Sequence, residues 1–220
     1  MGQSPTTIRP LRGGGDPAGR DPRQVSIGFR LAKRSLDLAG ALAGLVLAGP
    51  VMLACAVWIR CVDGGPVFYR QWRVGHRGWL FRLYKFRTMS LDAERHGAQF
   101  AQKGDPRIVP GCRWMRKSHL DELPQLFNVL LGQMSLVGPR PERPEIFERF
   151  RERLPSMERR LAGRPGLTGL AQVSCGYSND LAGIRRKLAA DLRYLRQPSV
   201  LGDLRLLGLT LPRLWDHSAC

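Results

Sequence analysis

An uncharged run of 22 residues, from Leu38 to Ile59, constrains the fold of this chain more than any other feature. As a straight helix rising about 1.5 Å per residue, it would be long enough to cross the roughly 30 Å hydrocarbon core of a bilayer. It begins well inside the chain and has no polar cleavage region after it, so it is not typical of a secretory signal peptide. We therefore expect a membrane segment that is retained in the protein.

Two observations argue against a simple span. Both flanks are basic, with seven Lys or Arg against three Asp or Glu in residues 1–37, and 28 against 15 in residues 60–220. Positive charge near a membrane segment marks its cytoplasmic side. Gly49-Pro50 lies in the middle of the run, where proline removes a helical hydrogen bond. We expect residues 30–62 to form a re-entrant membrane hairpin broken at Gly49-Pro50, with a kinked span and a buried helix of a soluble protein as alternatives.

Composition divides the rest of the chain into a domain with two tails. Residues 1–29 are rich in Gly, Pro, Arg and Thr and predict a disordered basic tail. Residues 63–215 are expected to form a small cytosolic domain, and residues 216–220 a second tail. The fold class that we expect is α+β and mostly helical.

Periodicity within the domain predicts one strand hairpin and several amphipathic helices. Aromatic and cationic residues over 66–89, with glycines between them, favour two short strands. Apolar residues at helical spacing over 144–162 and 181–197 predict amphipathic helices, and the leucine-rich stretch 199–214 predicts another. These helices are expected either to pack on the core or to lie at an anionic membrane surface.

The chain is strongly basic, with 35 Lys and Arg against 18 Asp and Glu and a net charge of +17. Such a surplus indicates polyanionic partners, which include nucleic acid, anionic lipid and phosphorylated substrates. The five cysteines are scattered and form no CxxC pair. We interpret them as reduced thiols in a cytosol-facing protein, which argues against a disulfide framework or a zinc site.

The adjacent carboxylates Asp121 and Glu122 lie where a helix is predicted to begin, because apolar residues follow at helical spacing over 123–131. Pro124 fits the first helical turn and Gly132 fits the stop. A charged N-cap on a core helix is one interpretation. Three cations shortly precede the pair in sequence, however. Cations, carboxylates and free backbone N–H groups together suit a phosphate ester with a divalent metal. These cations are Arg113, Arg116 and Lys117.

Other segments also carry candidate phosphate contacts. Lys85 and Arg87 would point to the same face of a strand, where a solvated face is the alternative. Pro139 and Pro141 bracket Arg140 and stiffen a loop that would present one guanidinium, although a plain turn is also consistent with it. The glycine-rich turn 163–169 would let backbone approach a ligand closely.

Together these segments resemble the bacterial sugar transferases, specifically the monotopic phosphoglycosyl transferases that load a sugar phosphate onto a polyprenyl phosphate carrier. The resemblance covers about residues 30–215, in order. Its motifs are Lys33-Arg34 with Asp37, Gly49-Pro50, Lys85-Phe86-Arg87-Thr88-Met89, Asp105-Pro106-Arg107-Ile108, Arg116 through Asn128, Gly138-Pro139-Arg140-Pro141-Glu142, and Arg164-Pro165-Gly166-Leu167-Thr168-Gly169.

The resemblance implies transfer of a sugar 1-phosphate from a UDP-sugar to undecaprenyl phosphate, with release of UMP, as the initiating step of exopolysaccharide, O-antigen, capsule or other glycan synthesis. The reaction would take place at the cytosolic face of the bacterial inner membrane. The resemblance assigns the nucleophile, and hence a covalent phosphosugar intermediate, to Asp121, and a Mg²⁺ ligand to Glu122. It also implies phosphate or donor contacts by Arg116, Lys85, Arg87, Arg140 and Arg164.

Some positions depart from the family pattern. His119 stands where the family usually has Ser or Thr, Leu170 replaces a common Trp, and Ser174-Cys175-Gly176 replaces a common Asn-Gly-Arg. The last two changes affect expected sugar and uridine contacts. Larger members carry additional transmembrane helices and an N-terminal domain, so we expect this chain to represent the minimal catalytic form.

Three other function classes are compatible with parts of the sequence. The charge alone would suit a nucleic-acid-binding protein, but the run from Leu38 to Ile59 has no place in one, so we expect no nucleic acid partner. A non-catalytic membrane scaffold would be favoured by an altered carboxylate pair, which is intact here. A glycosyltransferase that moves the sugar without its phosphate would release UDP. Membrane phospholipid is an expected partner. A homodimer is left open: the resemblance allows one, but no segment of the sequence indicates an interface.

Overall fold

The computed structural model describes residues 26–95, 97, 104–176 and 180–212. Most of the predicted N-terminal tail and all of residues 216–220 lie outside them, while residues 27–29 belong to a helix. The described residues form the α+β, mostly helical fold that the sequence predicts. The helices are α1 (Ile27–Asp63), α2 (Arg113–Lys117), α3 (Gln125–Leu130), α4 (Pro144–Arg153), α5 (Leu170–Ser174), α6 (Leu181–Arg196) and α7 (Val200–Thr210), and the strands are β1 (Phe68–Val74), β2 (Leu80–Phe86), β3 (Ser135–Val137) and β4 (Gly166–Thr168).

The apolar run forms one continuous helix, α1. The side chain of Ser26 caps it by accepting a hydrogen bond from the backbone N–H of Phe29, and it ends at Gly64, whose φ of 64° is left-handed. Helical backbone continues through Pro50, so the predicted interruption at Gly49-Pro50 is not observed. The physical reason is that proline removes one hydrogen bond from a helix and kinks it without having to end it. By length and composition, α1 could cross a membrane.

Two cations at the N-terminal end of α1 bind the rest of the protein. The Lys33 ammonium donates to the carbonyl of Val137, at 3.0 Å, and pairs with the buried carboxylate of Asp203, at 2.7 Å. The Arg34 guanidinium donates to the carbonyl of Val129, at 2.8 Å, near the C-terminal end of α3. Cations at a helix C-terminus satisfy carbonyls that lack helical partners. Both side chains therefore dock α1 onto the domain.

Asp37 is a second anchor of α1 and is almost fully buried. Its Oδ1 atom accepts hydrogen bonds from the Ser135 hydroxyl and from the backbone N–H of Leu136, each at 2.9 Å. A buried carboxylate requires such donors, because it has lost its hydration. The groups bound to Asp37 are thus neutral groups at the start of β3.

The C-terminal end of α1 contacts the same domain. The Trp58 indole donates to the carbonyl of Gly111, at 2.8 Å. Asp63, the last residue of the helix, forms an ion pair with Arg87. Both ends of α1 are therefore bound to one folded unit.

Small residues let the middle of α1 approach the core. Gly40 and Gly44 lie one helical turn apart and face Leu136 and Leu126, respectively. A Cβ atom at Gly40 would lie 2.5 Å from Leu136 Cδ1, and one at Gly44 would lie 3.1 Å from Leu126 Cδ1. The lack of a Cβ atom at these two glycines thus allows α1 to pack closely against β3 and α3.

The strand hairpin is confirmed. β1 pairs antiparallel with β2 in a register that runs from Phe68 opposite Phe86 to Val74 opposite Leu80. Phe81 and Leu83 point from β2 into the core beside α3. The hairpin therefore holds one face of β2 next to the helix that follows the carboxylate pair.

A second, two-stranded sheet pairs β3 with β4 in parallel. Its backbones approach so closely that Cβ atoms at Gly138, Gly166 and Gly169 would collide with main-chain atoms of the opposing segment. The glycine-rich turn therefore permits contact between two strands, where the sequence left open contact with a ligand. This sheet fixes the start of the loop that carries Arg140.

The helices predicted over residues 144–162 and 181–197 pack on the core with their apolar stripes. Residues 144–162 divide into α4 and a 3₁₀ helix over Pro155–Ala162, so the chain changes helix type at Pro155. Their buried side chains form one cluster with a side chain of α6. The cluster includes Phe147, Phe150, Met157, Leu161 and Leu188.

Candidate active site

The carboxylate pair lies in a 3₁₀ turn, Leu120–Glu122, directly before α3. The sequence predicts the pair at the N-terminal end of this helix, and the structure separates it from α3 by one short turn. The preceding residue, His119, has a left-handed backbone with φ of 55°, which is uncommon for a residue with a side chain. This turn projects Asp121 and Glu122 toward β2.

Glu122 is bound by two cations from different elements. The Lys85 ammonium, on β2, lies 2.7 Å from Oε1. The Arg140 guanidinium is bidentate, with Nη2 2.5 Å from Oε1 and Nη1 3.1 Å from Oε2. Burial opposes ionisation of Glu122, but Arg140 and Lys85 outweigh it and hold the pKa of this carboxyl well below its usual range. Glu122 is therefore ionised and fixed in orientation.

Asp121 has a different environment, although it is directly adjacent to Glu122 in sequence. Its side chain is buried, and burial raises the pKa of its carboxyl, an effect that neighbouring Glu122 reinforces and that Lys85 and Arg116 oppose. Among the described residues, the polar contacts of Lys85 and Arg140 at this site go to Glu122 and none goes to Asp121. Asp121 is thus buried without the ion pairs that bind Glu122.

Arg116 lies close to the pair but is bound elsewhere. It occupies the last turn of α2, and its Nη1 donates to the hydroxyl of Thr88 at 3.3 Å. Its charge acts on Asp121 from this position and lowers the pKa of that carboxyl against the effect of burial. Arg116 therefore contributes positive charge near Asp121 without binding either carboxylate in the described contacts.

Two other predicted contacts are not brought to the carboxylate pair. Arg87 lies beyond the end of β2, is buried, pairs with Asp63, and donates through Nε to the carbonyl of Pro66 at 2.6 Å. Arg164 is exposed just before β4, and its charge helps to lower the pKa of His76, after burial as the main cause. Their predicted roles toward the donor stay predictions.

Asn128 is a positioning residue whose role was not predicted from the sequence. It is completely buried on α3, where its amide donates to the carbonyl of Arg82, at 2.8 Å, and accepts from the backbone N–H of Tyr84, at 3.0 Å. Both partners lie on β2, within three residues of Lys85. Asn128 therefore locks the helix after the carboxylate pair to the strand that supplies the lysine. A polar residue between apolar positions of a core helix was the available signal.

The residues present are compatible with Mg²⁺. The described part of the chain contains no group of three or more His, Cys, Asp or Glu side chains that could enclose a metal. Mg²⁺, however, commonly binds through one or two carboxylates and completes its shell with water and substrate phosphates. Glu122 Oε2 accepts one hydrogen bond, from Arg140, and therefore keeps a lone pair for a metal. Adjacent carboxylates of this kind fit a metal that arrives with a diphosphate.

Comparison with known proteins identifies the family. The sequence profile described as "Bacterial sugar transferase" matches residues 28–217. The chain is 42% identical over 183 residues to a UDP-N-acetylgalactosamine-undecaprenyl-phosphate N-acetylgalactosaminephosphotransferase from Aeromonas hydrophila, covering 83% of this chain and 43% of that protein. It is 38% identical over 200 residues to a UDP-glucose:undecaprenyl-phosphate glucose-1-phosphate transferase from Caulobacter vibrioides, covering 90% and 74%.

A UDP-glucose:undecaprenyl-phosphate glucose-1-phosphate transferase from Escherichia coli is 35% identical over 184 residues, with 83% of this chain and 40% of that protein covered. The chain thus spans about two-fifths of the length of the Aeromonas and Escherichia relatives. The match to the family profile includes α1, the hairpin, the carboxylate pair and the Arg140 loop. The chain belongs to the bacterial sugar transferase family.

Proposed function

We propose that this protein transfers a sugar 1-phosphate from a UDP-sugar to undecaprenyl phosphate and releases UMP, through a covalent phosphosugar on Asp121. The observation that carries the proposal is the difference in cation contacts between two neighbouring carboxylates. Glu122 is held by Lys85 and Arg140, whereas Asp121 is left without a bound cation among the described residues. The relatives' names, which specify undecaprenyl phosphate as the acceptor, support the same reaction class.

In the first step, a carboxylate oxygen of Asp121 attacks the phosphorus that bears the sugar. The bond from this phosphorus to the bridging oxygen breaks, and the oxygen leaves with its electron pair as part of UMP. In the second step, a phosphate oxygen of undecaprenyl phosphate attacks the same phosphorus and the bond to Asp121 breaks, which restores the carboxylate. Both nucleophiles are anions, so neither step requires a proton to be removed when Asp121 is ionised.

The main obstacle to this chemistry is repulsion between an anionic nucleophile and an anionic diphosphate. Lys85, Arg116 and Arg140 surround the pair with positive charge and would stabilise charge on the phosphates. Mg²⁺ bound by Glu122 would neutralise further charge on the diphosphate. The fixed orientation of Glu122 matters because preorganised charge needs little rearrangement as the phosphorus is transferred.

We also propose that α1 keeps the site at the cytosolic surface of the inner membrane, with both of its ends on the cytosolic side. This is supported by the contacts of Lys33 at one end and Trp58 at the other with a single domain. The outer face of α1 offers large apolar side chains to lipid, as Val46 and Leu47, 69% and 80% exposed, illustrate. A re-entrant path remains our proposal for this helix, with its bend at Pro50 instead of a break. Whether the protein is a homodimer stays a prediction.

The test is UMP release from a panel of UDP-sugars by the membrane-reconstituted protein with undecaprenyl phosphate. Asp121→Asn should abolish turnover and Glu122→Gln should reduce it severely, while both variants remain in the membrane fraction. Donor labelled in the phosphate next to the sugar should leave label on the Asp121 peptide. Normal UMP release by Asp121→Asn would contradict the mechanism, and release of UDP in place of UMP would indicate direct glycosyl transfer.

The topology is tested separately with accessibility tags at the two termini in intact and permeabilised cells. We expect both tags to be reached only from the cytosol. Opposite accessibility would show that α1 is a true span.

A further inference from the structure

The loop that carries Arg140 is held by its backbone, one carbonyl after another. Four consecutive carbonyls, from Pro139 to Glu142, each accept a hydrogen bond, and the donors come from three parts of the domain: β4, the 3₁₀ helix after α4, and the end of β1. The pairs are Pro139 O with Gly166 N at 2.9 Å, Arg140 O with Arg160 Nη2 at 2.9 Å, Pro141 O with Arg73 Nη1 at 3.1 Å, and Glu142 O with Val74 N at 2.9 Å. A loop bound in this way has little freedom to move relative to the carboxylate pair.

Arg160 is the member of this set that connects the loop to a charged network. Its side chain is 8% exposed, its Nη1 lies 3.2 Å from Glu142 Oε1, and its Nη2 lies 2.7 Å from Asp191 Oδ2. The same Nη2 donates to the carbonyl of Arg140. One guanidinium therefore joins the 3₁₀ helix after α4, the Arg140 loop and α6.

We infer that Arg160 is a positioning residue for the phosphosugar transfer, which acts by holding the Arg140 loop at the distance from which Arg140 binds both oxygens of Glu122. This inference rests on the proposed function. Arg160 itself touches neither Asp121 nor Glu122 in the described contacts. Its effect must therefore travel through the Arg140 loop, which it binds at the Arg140 carbonyl and at the Glu142 carboxylate.

The chemistry of the guanidinium suits this role better than that of an ammonium. Its planar fork donates in several fixed directions, so Arg160 binds two carboxylates and a carbonyl at once. Lysine could still pair with Asp191, but its compact ammonium on a flexible stem would not reproduce the same set of contacts. Arg160→Lys therefore keeps the buried positive charge and removes the contacts that hold the Arg140 loop, so it tests the two contributions separately.

The decisive experiment is a double-mutant cycle with Arg140. Arg160→Lys and Arg160→Gln are made in the native protein and in Arg140→Ala, and single-turnover UMP release is measured at high enzyme concentration. In the native background we expect each change to lower the rate constant about tenfold, whereas in Arg140→Ala we expect less than about a twofold further loss. Equal losses in the two backgrounds, or no loss in the native background, would overturn the inference.

Arg143→Gln is the matched control, because Arg143 is similarly buried and pairs with Glu94 at 2.8 Å without binding the carbonyl of Arg140. Arg143→Gln should lower the rate constant of UMP release by the same factor, whatever its size, in the native protein and in Arg140→Ala. If Arg160→Gln does not fold, as judged by thermal unfolding in detergent, Arg160→Lys decides the cycle.

A second readout does not depend on catalysis. Arg140 should react faster with phenylglyoxal in Arg160→Lys than in the native protein, as measured by peptide mass spectrometry, and should react at the native rate in Arg143→Gln. An unchanged rate at Arg140 in Arg160→Lys would contradict the inference even if UMP release by this variant were reduced. Absence of UMP release from the native protein would instead contradict the proposed function, and the labelling result would still decide the role of Arg160.

Discussion

Arg140 binds both carboxylate oxygens of Glu122, with Nη2 2.5 Å from Oε1 and Nη1 3.1 Å from Oε2. This bidentate pair fixes the plane of one carboxylate and leaves its neighbour, Asp121, free of such a contact among the described residues. The pKa values of the two adjacent acids are therefore shifted in opposite directions: cations lower the pKa of Glu122, whereas burial raises that of Asp121. This difference is the basis for proposing Asp121, and not Glu122, as the residue that bonds to phosphorus.

The first prediction concerns the fork geometry of Arg140. Arg140→Ala should lower UMP release about 100-fold, because it removes a preorganised cation from the site. Arg140→Lys should lower it about tenfold, since an ammonium keeps the charge but cannot form two parallel hydrogen bonds to Glu122. Initial rates at saturating acceptor would measure both. Equal activity of Arg140→Lys and the native protein would mean that charge alone is required.

The carboxylate pair and the hairpin were predictable because local sequence determines them. Helical spacing after Leu123 and the strand pattern around Lys85 each depend on a short stretch of chain. The separation of Arg87 from Lys85 was not predictable in the same way. The strand ends at Phe86, one residue before Arg87, so the alternation that would have placed the two cations on one face does not extend to Arg87. Asp63, at the end of α1, forms an ion pair with Arg87 instead.

The second prediction concerns the contact between β3 and β4. A Cβ atom at Gly166 would overlap main-chain atoms of Gly138 and Thr168, which cannot move without separating the strands. Gly166→Ala should therefore lower the free energy of unfolding by about 3 kcal/mol or more and release the start of the Arg140 loop. Thermal unfolding in detergent and UMP release would measure the two effects.

Gly176→Ala provides the control for that substitution. Gly176 is exposed, and a Cβ atom there would meet nothing within 4 Å. It should change the free energy of unfolding by less than about 0.5 kcal/mol. Similar destabilisation by both substitutions would mean that loss of glycine as such, and not the strand contact, is responsible.

The apolar character of α1 was evident from sequence, but its docking was not. Lys33 and Arg34 look like interfacial cations, because cations flank most membrane segments. Their partners lie about 100 or more positions away in sequence, at Val129, Val137 and Asp203. Contacts at such separations leave no local periodicity, so only the folded chain reveals that these cations are structural.

The third prediction tests that structural role. Asp203 is fully buried between Lys33 and the Tyr194 hydroxyl, which donates to its Oδ1 atom at 2.8 Å. Lys33→Met should lower the free energy of unfolding by about 3 kcal/mol, because it leaves a buried carboxylate without its counter-charge. Lys33→Met combined with Asp203→Asn should recover part of this loss. Thermal unfolding of the detergent-solubilised proteins would reveal the recovery, and strictly additive losses would contradict it.

The fourth prediction is a pH dependence of stability that originates at Asp191. Burial raises the pKa of this carboxyl from 3.8 to about 6, although Arg160 opposes the shift. A pKa that is higher in the folded state means that the folded protein binds the extra proton between these two values. The contribution of Asp191 to stability is therefore fully present below about pH 4 and is lost as the pH rises through about 6, with a total change of about 3 kcal/mol.

Asp191→Asn removes this titration and should flatten the dependence. Between pH 4 and 7, the unfolding temperature of the native protein should fall relative to that of Asp191→Asn, with most of the relative change complete by about pH 7. Asp92→Asn, at an exposed position in a turn, is the control and should follow the native curve. Parallel curves for the native protein and Asp191→Asn would mean that Asp191 is ionised throughout this range, because the charge of Arg160 would then outweigh the cost of burial.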